Sequence, residues 1–371
     1  MGLRVVIVGG GIGGLSTAVA LRSTGAQVDV FEQAPKLGEV GAGINLHPNS
    51  QRVLRRLGLG QEVSCIAAPI AGRQLCSPEG TVLSSATFGP DDAQMGVHRA
   101  DLVAMFAGAL PEGVVHTGRR CTQFSENESS AAVGLDTGEV VEADAVIAAD
   151  GIHSILHNYV VEPTEPVFSG TIAYRGLVPA TRVPGWPKSF RVWGGRGKHL
   201  LTFPVRTGQL INFVGFVPAD QEMRESWSEP GDPATLLAEF ADWDADMRRL
   251  LGQVDTTFKW GLYDRNPLSR WTTGRLALLG DAAHPMLPHM GQGANQAIED
   301  AMALATLLRI CGPEDVPKAL VDYQAVRLDR TTRIQQLSRE VGIGFDSGKA
   351  AMTYPWVQNY DVEAEALAAH R

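Results

Sequence analysis

The chain lacks the features that mark several broad classes of protein. Its four cysteines form no C-x-x-C pair, so the sequence indicates neither a disulfide framework nor structural zinc. Acidic residues outnumber basic ones, and the formal charge of −9 argues against a nucleic-acid binder, which needs a basic surface. No apolar run reaches the roughly 20 residues that a membrane span requires, and no cleavable leader is recognised. We therefore expect a cytoplasmic protein without a metal site.

The composition is that of a folded, globular chain. Apolar residues make up 44% and charged residues 20%, which argues against extensive disorder. A length of 371 residues exceeds one ordinary core and predicts two domains, or one domain with a large insertion. A monomer and a homodimer are both compatible with this composition.

The N-terminal segment predicts a βαβ unit with a parallel sheet. Residues 3–8 form a continuous apolar run, as in a strand that is buried on both faces. An Ala- and Leu-rich helix is predicted over residues 15–24, before Gly25, and a second strand over residues 28–31. This alternation indicates the Rossmann-like arrangement of an α/β protein.

Three glycines join the first strand to the helix. In the series Gly9-x-Gly11-x-x-Gly14 the first permits a tight turn, the second lets backbone approach a phosphate, and the third allows close packing of helix and strand. The N-terminus of the helix would offer free N–H groups to a pyrophosphate. Glu32 ends the second strand, where its carboxylate would accept hydrogen bonds from a ribose. The motif alone does not separate FAD from NAD, and a glycine-rich turn without a ligand is the alternative.

Two later strands share the same pattern. Residues 145–149 lead into Asp150-Gly151, and residues 275–279 lead into Gly280-Asp281. Because ligands of open α/β sheets bind at the carboxyl ends of the strands, we expect these turns to face one ligand together with the N-terminal turn.

The middle of the chain changes pattern. Predicted strands over residues 189–193, 199–204 and 209–217 are joined by short glycine-containing turns, which suits an antiparallel sheet. Asp232 and Pro233 then begin a helix, the first as its cap and the second in its first turn.

These patterns predict a three-part organisation. Residues 1–165 form the first part of a nucleotide-binding domain with a parallel sheet in a three-layer, Rossmann-like α/β fold. Residues 166–269 form an inserted, mainly antiparallel substrate domain. Residues 270–371 complete the first domain and end in helices.

Several longer stretches resemble one enzyme family. The segments DAVIAADGIHS at 144–154 and GRLALLGDAAHP at 274–285 resemble signatures of the single-component FAD-dependent aromatic hydroxylases, which have the p-hydroxybenzoate hydroxylase fold. The stretch GDAAHPMLPHMGQGANQAIEDA at 280–301 resembles the salicylate hydroxylase and 6-hydroxynicotinate 3-monooxygenase branch in particular. GAGINLHPN at 41–49 and VHRADL at 97–102 match the same branch. The resemblance covers residues 1 to about 340.

The resemblance implies an NAD(P)H-dependent FAD monooxygenase. NADH or NADPH would bind transiently to reduce FAD, and oxygen would form a flavin C4a-hydroperoxide that hydroxylates a small aromatic or heteroaromatic substrate. An alternative keeps the fold without hydroxylation, as an FAD-binding reductase, a dehydrogenase or a ligand-sequestering flavoprotein. A plain NAD dehydrogenase is a third possibility, and it would be colourless when purified.

The cofactor-binding residues follow from the motifs and the resemblance together. Asp281 would accept hydrogen bonds from ribityl hydroxyls, and the turn at 291–295 opens a helix over 296–308 whose N-terminus would face the N1–C2=O end of the flavin. The resemblance assigns that turn the same role and implies that Arg99 contacts the cofactor; a surface ion pair is the alternative for Arg99. The predicted set is Gly9, Gly11, Gly14, Glu32, Gly43, Arg99, Asp150, Gly151, Asp281, Pro288, Gly291, Gly293, Ala294 and Asn295.

One position departs from the family pattern. After Asp150-Gly151 the family usually has a serine and, three residues later, an arginine; here Ser154 is followed by His157. A histidine lacks the fixed guanidinium fork, so this departure puts the contact with the nicotinamide cofactor in doubt.

Two histidines are the predicted catalytic bases. A phenol attacks faster as its phenolate, and histidine suits this deprotonation because its pKa lies near neutrality. His289 lies beside the flavin-side turn, and His199 begins a strand of the inserted sheet; a strand-end histidine satisfied by backbone is the alternative for His199. His284 is expected to be structural, packed beneath the flavin, and His47 to belong to the FAD-side loop.

The substrate residues are predicted less sharply. Arg175 would bind a substrate carboxylate, or form an ion pair at the sheet edge. Phe203 and Phe213 are predicted to contact the substrate, although alternation alone does not separate pocket wall from core for these residues and Phe216.

Overall fold

The computed structural model describes residues 2–38, 42–89, 92–219, 229–350 and 354–369. The strands are β1 Arg4–Val8, β2 Gln27–Glu32, β3 Gly43–Leu46, β4 Ala68–Ile70, β5 Gly72–Cys76, β6 Val82–Thr87, β7 Gln94–His98, β8 Val115–Thr117, β9 Cys121–Glu126, β10 Ala131–Leu135, β11 Val140–Ala143, β12 Ala145–Ala148, β13 Val167–Pro179, β14 Phe190–Gly195, β15 Lys198–Val205, β16 Leu210–Pro218, β17 Pro230–Gly231, β18 Thr257–Asp264, β19 Thr272–Thr273 and β20 Leu276–Leu278. The helices are α1 Ile12–Ser23, α2 Pro48–Arg56, α3 Gly60–Ile66, α4 Arg99–Gly108, α5 Pro233–Glu239, α6 Ala245–Leu251, α7 Gly293–Leu308, α8 Val316–Asp346, α9 Pro355–Gln358 and α10 Val362–Ala369.

A six-stranded sheet carries the nucleotide-binding turns. Its order is β19-β20-β12-β1-β2-β8, and every pair except β19 with β20 is parallel. Strands β1, β12 and β20 are neighbours, so the turns that follow them meet at one edge, as their shared pattern predicts. The α/β class expected from the sequence is confirmed.

The inserted sheet has eight strands in the order β17-β18-β13-β16-β15-β14-β5-β6. It is antiparallel except where β14 pairs with β5. Strands β5 and β6 lie within residues 1–165, which the sequence pattern assigns wholly to the nucleotide-binding domain. The boundary at residue 165 therefore does not separate the two sheets, because the pairing of β5 with β14 joins segments more than a hundred residues apart.

The segment after Asp232 forms two helices rather than one. Asp232 caps α5, accepting hydrogen bonds from the N–H groups of Ala234 and Thr235, as expected. Helix α5 ends at Glu239, and the Asp244 side chain caps α6 by accepting from the N–H of Asp246. The helix predicted to begin at Asp232 is therefore followed by a second one, which starts at its own capping aspartate.

The inserted sheet has a different core on each face. One face packs on α5 and α6 through Leu236, Phe240 and Met247. The other face packs against the long helix α8 through Val341 and Phe345. Helix α8 extends for 31 residues, yet no helix among the described residues is both long and apolar enough to cross a membrane.

Candidate active site

A cavity of about 850 Å³ lies between the parallel sheet and the inserted sheet. This volume is in the upper part of the range for ligand sites, about 300–1,000 Å³. The three strand-end turns line one end, and strands of the inserted sheet with α8 line the other. We call the end lined by the three turns the cofactor end. The end lined by the inserted sheet and α8 is the enclosed end.

The glycine turn after β1 shows a separate requirement at each glycine. Gly9 has φ +109°, and a Cβ there would lie 2.2 Å from the carbonyl oxygen of Ala149 in the neighbouring turn. A Cβ on Gly14 would lie 1.9 Å from the carbonyl oxygen of Gly9. A Cβ on Gly11 would meet no protein atom within 4 Å, and Gly11 lines the cavity. Gly9 and Gly14 are thus required by the fold, and Gly11 leaves room for a ligand.

Glu32 is held firmly at the carboxyl end of β2. Its carboxylate accepts hydrogen bonds from the N–H of Gly10 at 2.6 Å and from the N–H of Ala34 at 2.7 Å. The side chain still lines the cavity. Because a carboxylate can accept about four hydrogen bonds, Glu32 keeps acceptor capacity for a ligand hydroxyl.

The aspartates of the two later turns open on the same cavity. Asp150 and Asp281 both line it, as does Gly151. One oxygen of Asp150 accepts from the N–H of Ile155 at 3.1 Å, whereas the other, Oδ1, is buried without a hydrogen-bond partner in the described chain. Desolvation raises the pKa of Asp150 to about 6. A ligand hydroxyl at Oδ1 would satisfy this acceptor.

Gly43 and Arg99 connect the cofactor end to the inserted sheet. The N–H of Gly43 donates to Asn212 Oδ1 at 2.8 Å, and a Cβ on Gly43 would lie 2.6 Å from that amide. Arg99 begins α4 and lines the cavity, and its charge acts on Asp281. Gly41, which belongs to the same sequence match as Gly43, lies outside the described residues.

The start of α7 forms one wall of the cavity. Pro288, Gly291, Gly293 and Ala294 line it, and Gly291 adopts a left-handed conformation with φ +63°. The helix has no acidic side chain in its own first turn, and the backbone of Gly293 and Ala294 at its N-terminus lines the cavity. This arrangement suits a group that carries negative charge.

Asn295 has a different role from the one predicted. It is not among the described residues that line the cavity. Its Oδ1 accepts from the N–H of His47 at 2.9 Å, and its amide donates to the carbonyl groups of Asn45 and Gly291. The prediction that Asn295 contacts the cofactor is therefore replaced by a structural role, because its hydrogen bonds tie the His47 loop to α7. Gly14 likewise lies behind the cavity and acts through packing.

A buried ionic cluster lies behind the cofactor end. His284 Nε2 lies 2.6 Å from Asp300 Oδ2, and Arg327 Nε donates to Asp300 Oδ1 at 2.7 Å. Arg327 and Arg330 both donate to Glu299. His284 is fully buried and does not line the cavity, in keeping with the structural role expected for it.

The more enclosed end of the cavity combines aromatic walls with two arginines. Arg175 from β13 is buried and lies 4.5 Å from the ring centre of Trp260, and Arg73 from β5 is buried as well. Phe203, a predicted substrate contact, lines the cavity and stacks on Phe190. Other side chains on this wall are Leu201, Val214, Phe216, Leu262, Met290, Val341, Phe345 and Tyr354.

Phe213 does not belong to this wall. It lies on the opposite face of the inserted sheet, in the core with Phe240 and Met247. Because side chains alternate along β16, Val214 and Phe216 face the cavity, and Phe213, which precedes them, packs on the opposite face. The predicted substrate contact of Phe213 is therefore wrong.

His289 and His199 lie together. The Nδ1 atom of His289 is 3.3 Å from Nε2 of His199, and Nδ1 of His199 is 2.7 Å from a carboxylate oxygen of Asp346. His289 lines the cavity, whereas His199 is fully buried behind it. Burial lowers the pKa of both histidines, that of His289 well below its ordinary value. His199 is thus placed to position His289, and it does not reach the cavity as the catalytic base predicted from the sequence would.

Two other histidines differ in their access to the cavity. His47 lines it, and burial and the charge of Arg73 lower its pKa to about 4. His157, which stands at the position where the family usually has arginine, is buried; its N–H donates to Ser154 Oγ at 3.0 Å. It is not among the described residues that line the cavity.

Sequence reasoning missed several residues of the site. Arg73 is an isolated arginine in a short strand, with no motif around it. Asp346 is 147 residues from its partner His199 along the chain. Tyr354, Val357 and Gln358 line the cavity from the C-terminal segment, for which no role was predicted. No local pattern distinguishes these residues, because each joins the site only through packing.

The geometry of the cofactor end fits FAD. Open space beside Gly11, the unpartnered Asp150 oxygen and the N-terminus of α7 all belong to one cavity, as a dinucleotide with an anionic ring end requires.

Comparison with known proteins agrees with this geometry. A family model described as FAD binding domain matches residues 2–338. The chain is 38% identical to 3-amino-4-hydroxybenzoate 2-monooxygenase of Streptomyces platensis, over 92% of this chain and 88% of that protein. It is 33% identical to 6-hydroxynicotinate 3-monooxygenase of Bordetella bronchiseptica, over 99% and 98% of the two chains. A solved salicylate hydroxylase substrate complex matches with a TM-score of 0.87 and 29% identity, over 99% of this chain and 98% of that one.

Proposed function

The chain belongs to the FAD binding domain family, as one of its flavin-dependent aromatic monooxygenases, and from this premise we propose that its substrate is a small aromatic acid with a ring hydroxyl group. The observation that carries this proposal is that two buried arginines, Arg73 and Arg175, line the same cavity as His289. The relatives named above act on aminohydroxybenzoate and hydroxynicotinate, both of which carry a hydroxyl and a carboxyl group.

The bound FAD, reduced by NADH or NADPH, supplies the activated oxygen for the ring. Gly11 and the start of α1 would receive the pyrophosphate. Glu32, Asp150 and Asp281 would accept hydrogen bonds from the ribose and ribityl hydroxyl groups of FAD. The N-terminus of α7 would stabilise the negative charge of the reduced ring. Protein on both sides of the enclosed end limits the access of water to the reacting ring.

The charge distribution along the cavity supports an anionic substrate. The carboxylates that line it within the described chain are Glu32, Asp150 and Asp281, and each follows a strand of the parallel sheet. The enclosed end instead carries Arg73 and Arg175. Because an arginine holds a carboxylate through charge-assisted hydrogen bonds, these side chains would fix the acid group and orient the ring.

His289 is the proposed base for the ring hydroxyl. It is neutral at physiological pH because burial lowers its pKa well below the ordinary value, and a proton on the neighbouring His199 would lower it further. A neutral imidazole in the cavity can accept the phenol proton, and the resulting phenolate attacks the activated oxygen more readily.

A substrate panel tests the reaction. FAD-loaded enzyme is mixed with NADH or NADPH and with hydroxybenzoates, aminohydroxybenzoates, hydroxynicotinates and their carboxamides. We expect ligand-stimulated NAD(P)H oxidation with a product heavier by one oxygen atom, for the acids more than for the amides. Oxidation that yields only hydrogen peroxide with every compound would instead support a flavin reductase of the same fold.

Substitution of Arg175 tests the carboxylate contact. In Arg175→Met the dissociation constant of the best acid should rise about 10- to 100-fold, the equivalent of roughly 1.5–3 kcal/mol for hydrogen bonds to a charged group. Binding of its carboxamide should change much less. Arg182→Met is the matched control, since Arg182 is exposed and pairs with Asp255 away from the cavity. Equal losses for acid and amide would refute a carboxylate contact.

Substitution of His289 tests the base. In His289→Asn we expect kcat to fall about 10²- to 10⁴-fold, the usual contribution of general base catalysis, with FAD still bound. In the parent enzyme, kcat should stay constant as the pH falls through the ordinary pKa of histidine and should drop only at lower pH. The reason is that His289 keeps its unprotonated form down to its lowered pKa. An unchanged kcat and pH profile in the variant would remove His289 from this role.

A further inference from the structure

The side chains behind His289 form a continuous path to the protein surface. His289 Nδ1 lies 3.3 Å from His199 Nε2, and His199 Nδ1 lies 2.7 Å from Asp346 Oδ1. His289 lines the cavity, His199 is fully buried, and the Asp346 side chain is 34% exposed. The three groups therefore connect the enclosed end of the cavity to bulk water.

Aromatic rings enclose the path on its sides. Phe216 stacks on His199 with ring centres 4.3 Å apart and approaches His289 to 4.9 Å. Phe345 lies 5.3 Å from His199. A proton held on His289 is costly in such surroundings, because a buried charge without compensation is strongly disfavoured, whereas His199 faces the carboxylate of Asp346. A proton taken up by His289 is thus driven onward along the hydrogen bonds.

One face of α8 holds the path in place. A Cβ on Gly342 would lie 2.6 Å from Cδ2 and 2.8 Å from Nε2 of His289, so this edge of the imidazole packs directly on the helix backbone. Asp346 follows one turn later on the same face. The carbonyl oxygen of Asp346 accepts from the N–H of Gly197, next to the strand that carries His199. The helix and β15 therefore fix the two ends of the path relative to each other.

The hydrogen bonds determine which ring nitrogens carry protons. Asp346 as a carboxylate only accepts, so His199 donates from Nδ1 and its Nε2 is an acceptor. His289 then donates from Nδ1 to His199 Nε2, which leaves its own Nε2 with a free lone pair. An unprotonated ring nitrogen on a residue that lines the cavity is what a base needs.

We infer that His289, His199 and Asp346 conduct protons between the substrate hydroxyl and bulk water, with Asp346 as the outlet. This inference rests on the proposed function, in which His289 is the base. The O–H bond of the phenol breaks as an N–H bond forms at His289 Nε2. The Nδ1 proton of His289 passes to His199 Nε2, the Nδ1 proton of His199 passes to Asp346, and Asp346 releases it to water or buffer. After hydroxylation the reverse sequence returns one proton to the product oxygen and restores the starting tautomers.

The test follows a proton without turnover. FAD-loaded enzyme binds 4-hydroxy-3-nitrobenzoate or 5-nitrosalicylate, whose phenolate band differs from that of the phenol, and a stopped-flow pH jump gives the rate of deprotonation of the bound ligand. Asp346→Asn keeps an oxygen that accepts from His199 Nδ1 but cannot carry a proton. Asp255→Asn is the matched control, because Asp255 is exposed and its partner is Arg182.

We expect Asp346→Asn to slow deprotonation at least tenfold while the ligand dissociation constant stays within about twofold. Asp346→Glu should restore much of the rate, and in Asp346→Ala a formate or acetate buffer should restore it in a concentration-dependent, saturable manner. His199→Gln should be slow without buffer rescue, since it interrupts the path before the surface.

Other results overturn the inference in distinguishable ways. If Asp346→Asn has the parent rate while His289→Asn is slow, the base is right and the path to Asp346 is wrong. A slow Asp346→Ala that buffer does not rescue means that Asp346 has only a structural role. If His289→Asn is as fast as the parent, or neither ligand binds, the proposed function fails and the inference with it.

Discussion

Burial lowers the pKa of His289 well below its ordinary value, and the neighbouring His199 contributes to the same shift. At the scale of one residue this means that the imidazole is a proton acceptor throughout the neutral range. Its position depends on another residue, Gly342, which presents backbone alone to the ring. The chemistry of His289 is therefore set by neighbours that are remote in the sequence.

The variant Gly342→Ala tests whether the position of the His289 ring matters, because it moves the ring and keeps the histidine. The new methyl group would lie 2.6 Å from the imidazole and push it out of line with His199. We expect kcat to fall at least tenfold, although alanine favours the helix. Steady-state kinetics and thermal unfolding measured on one preparation would show this, with Gly108→Ala as control because its Cβ meets no atom within 4 Å. Full activity in Gly342→Ala would show that the ring tolerates displacement.

At the scale of one element, the turn from β1 to α1 has two requirements. Gly9 and Gly14 let the turn, the neighbouring strand end and the helix approach each other within van der Waals contact. Gly11 has an ordinary backbone conformation with φ −75°, and its lack of a side chain matters only to what fills the cavity. The same motif thus serves folding at two positions and binding at the third.

Alanine substitutions should separate these requirements. Gly14→Ala should lower the free energy of unfolding of the FAD-free protein by about 1–3 kcal/mol or more, as overpacking does, because its Cβ would meet the carbonyl oxygen of Gly9. Gly11→Ala should leave that free energy within about 1 kcal/mol and weaken FAD binding at least tenfold. Urea denaturation and flavin fluorescence titration measure the two quantities. FAD binding of parent strength in Gly11→Ala would place the pyrophosphate elsewhere.

At the scale of the whole molecule, one buried cluster joins the end of the chain to the cofactor-binding domain. Arg327 and Arg330 of α8 reach Glu299 and Asp300 of α7, and Asp300 also accepts from the N–H of Gly280 after β20. Burial alone would raise the pKa of both carboxyl groups, but the facing cations hold them below their ordinary values. The cluster therefore fixes α8, which carries Asp346, relative to α7, whose N-terminus lines the cofactor end of the cavity.

Removal of one charged partner should show how much the cluster contributes to the free energy of unfolding. Arg327→Met should destabilise the protein by about 3–5 kcal/mol, because it removes the cation that faces both buried carboxylates and leaves them only Arg330 and His284. Lys318→Met, which removes an exposed pair with Asp322 from the same helix, should change stability by less than about 1 kcal/mol.

The pH dependence of stability gives a second readout of this cluster. A carboxyl group whose pKa is depressed by folding contributes stability above its ordinary pKa and loses it as the pH falls through the depressed value. The parent should therefore lose this stability in acid, and Arg327→Met should lose less. Equal stability of parent and variant at neutral pH, measured by urea denaturation, would contradict this role.

The sequence by itself determined the parts of the protein that depend on local pattern. Apolar runs ending in glycine and aspartate defined the strands and turns of the parallel sheet, because such turns need particular backbone conformations wherever they occur. Alternation and turn residues likewise indicated the inserted sheet, and Asp232 indicated the start of a helix. The family resemblance added FAD and aromatic hydroxylation.

Only the tertiary structure decided which side chains meet. Alternation placed Phe213 and Phe216 on opposite faces of β16 but did not say which face the cavity occupies. His199 lies behind the cavity, and its hydrogen-bond partner Asp346 is 147 positions away in the sequence. Such contacts come from the packing of distant elements around a shared core, which local sequence does not encode.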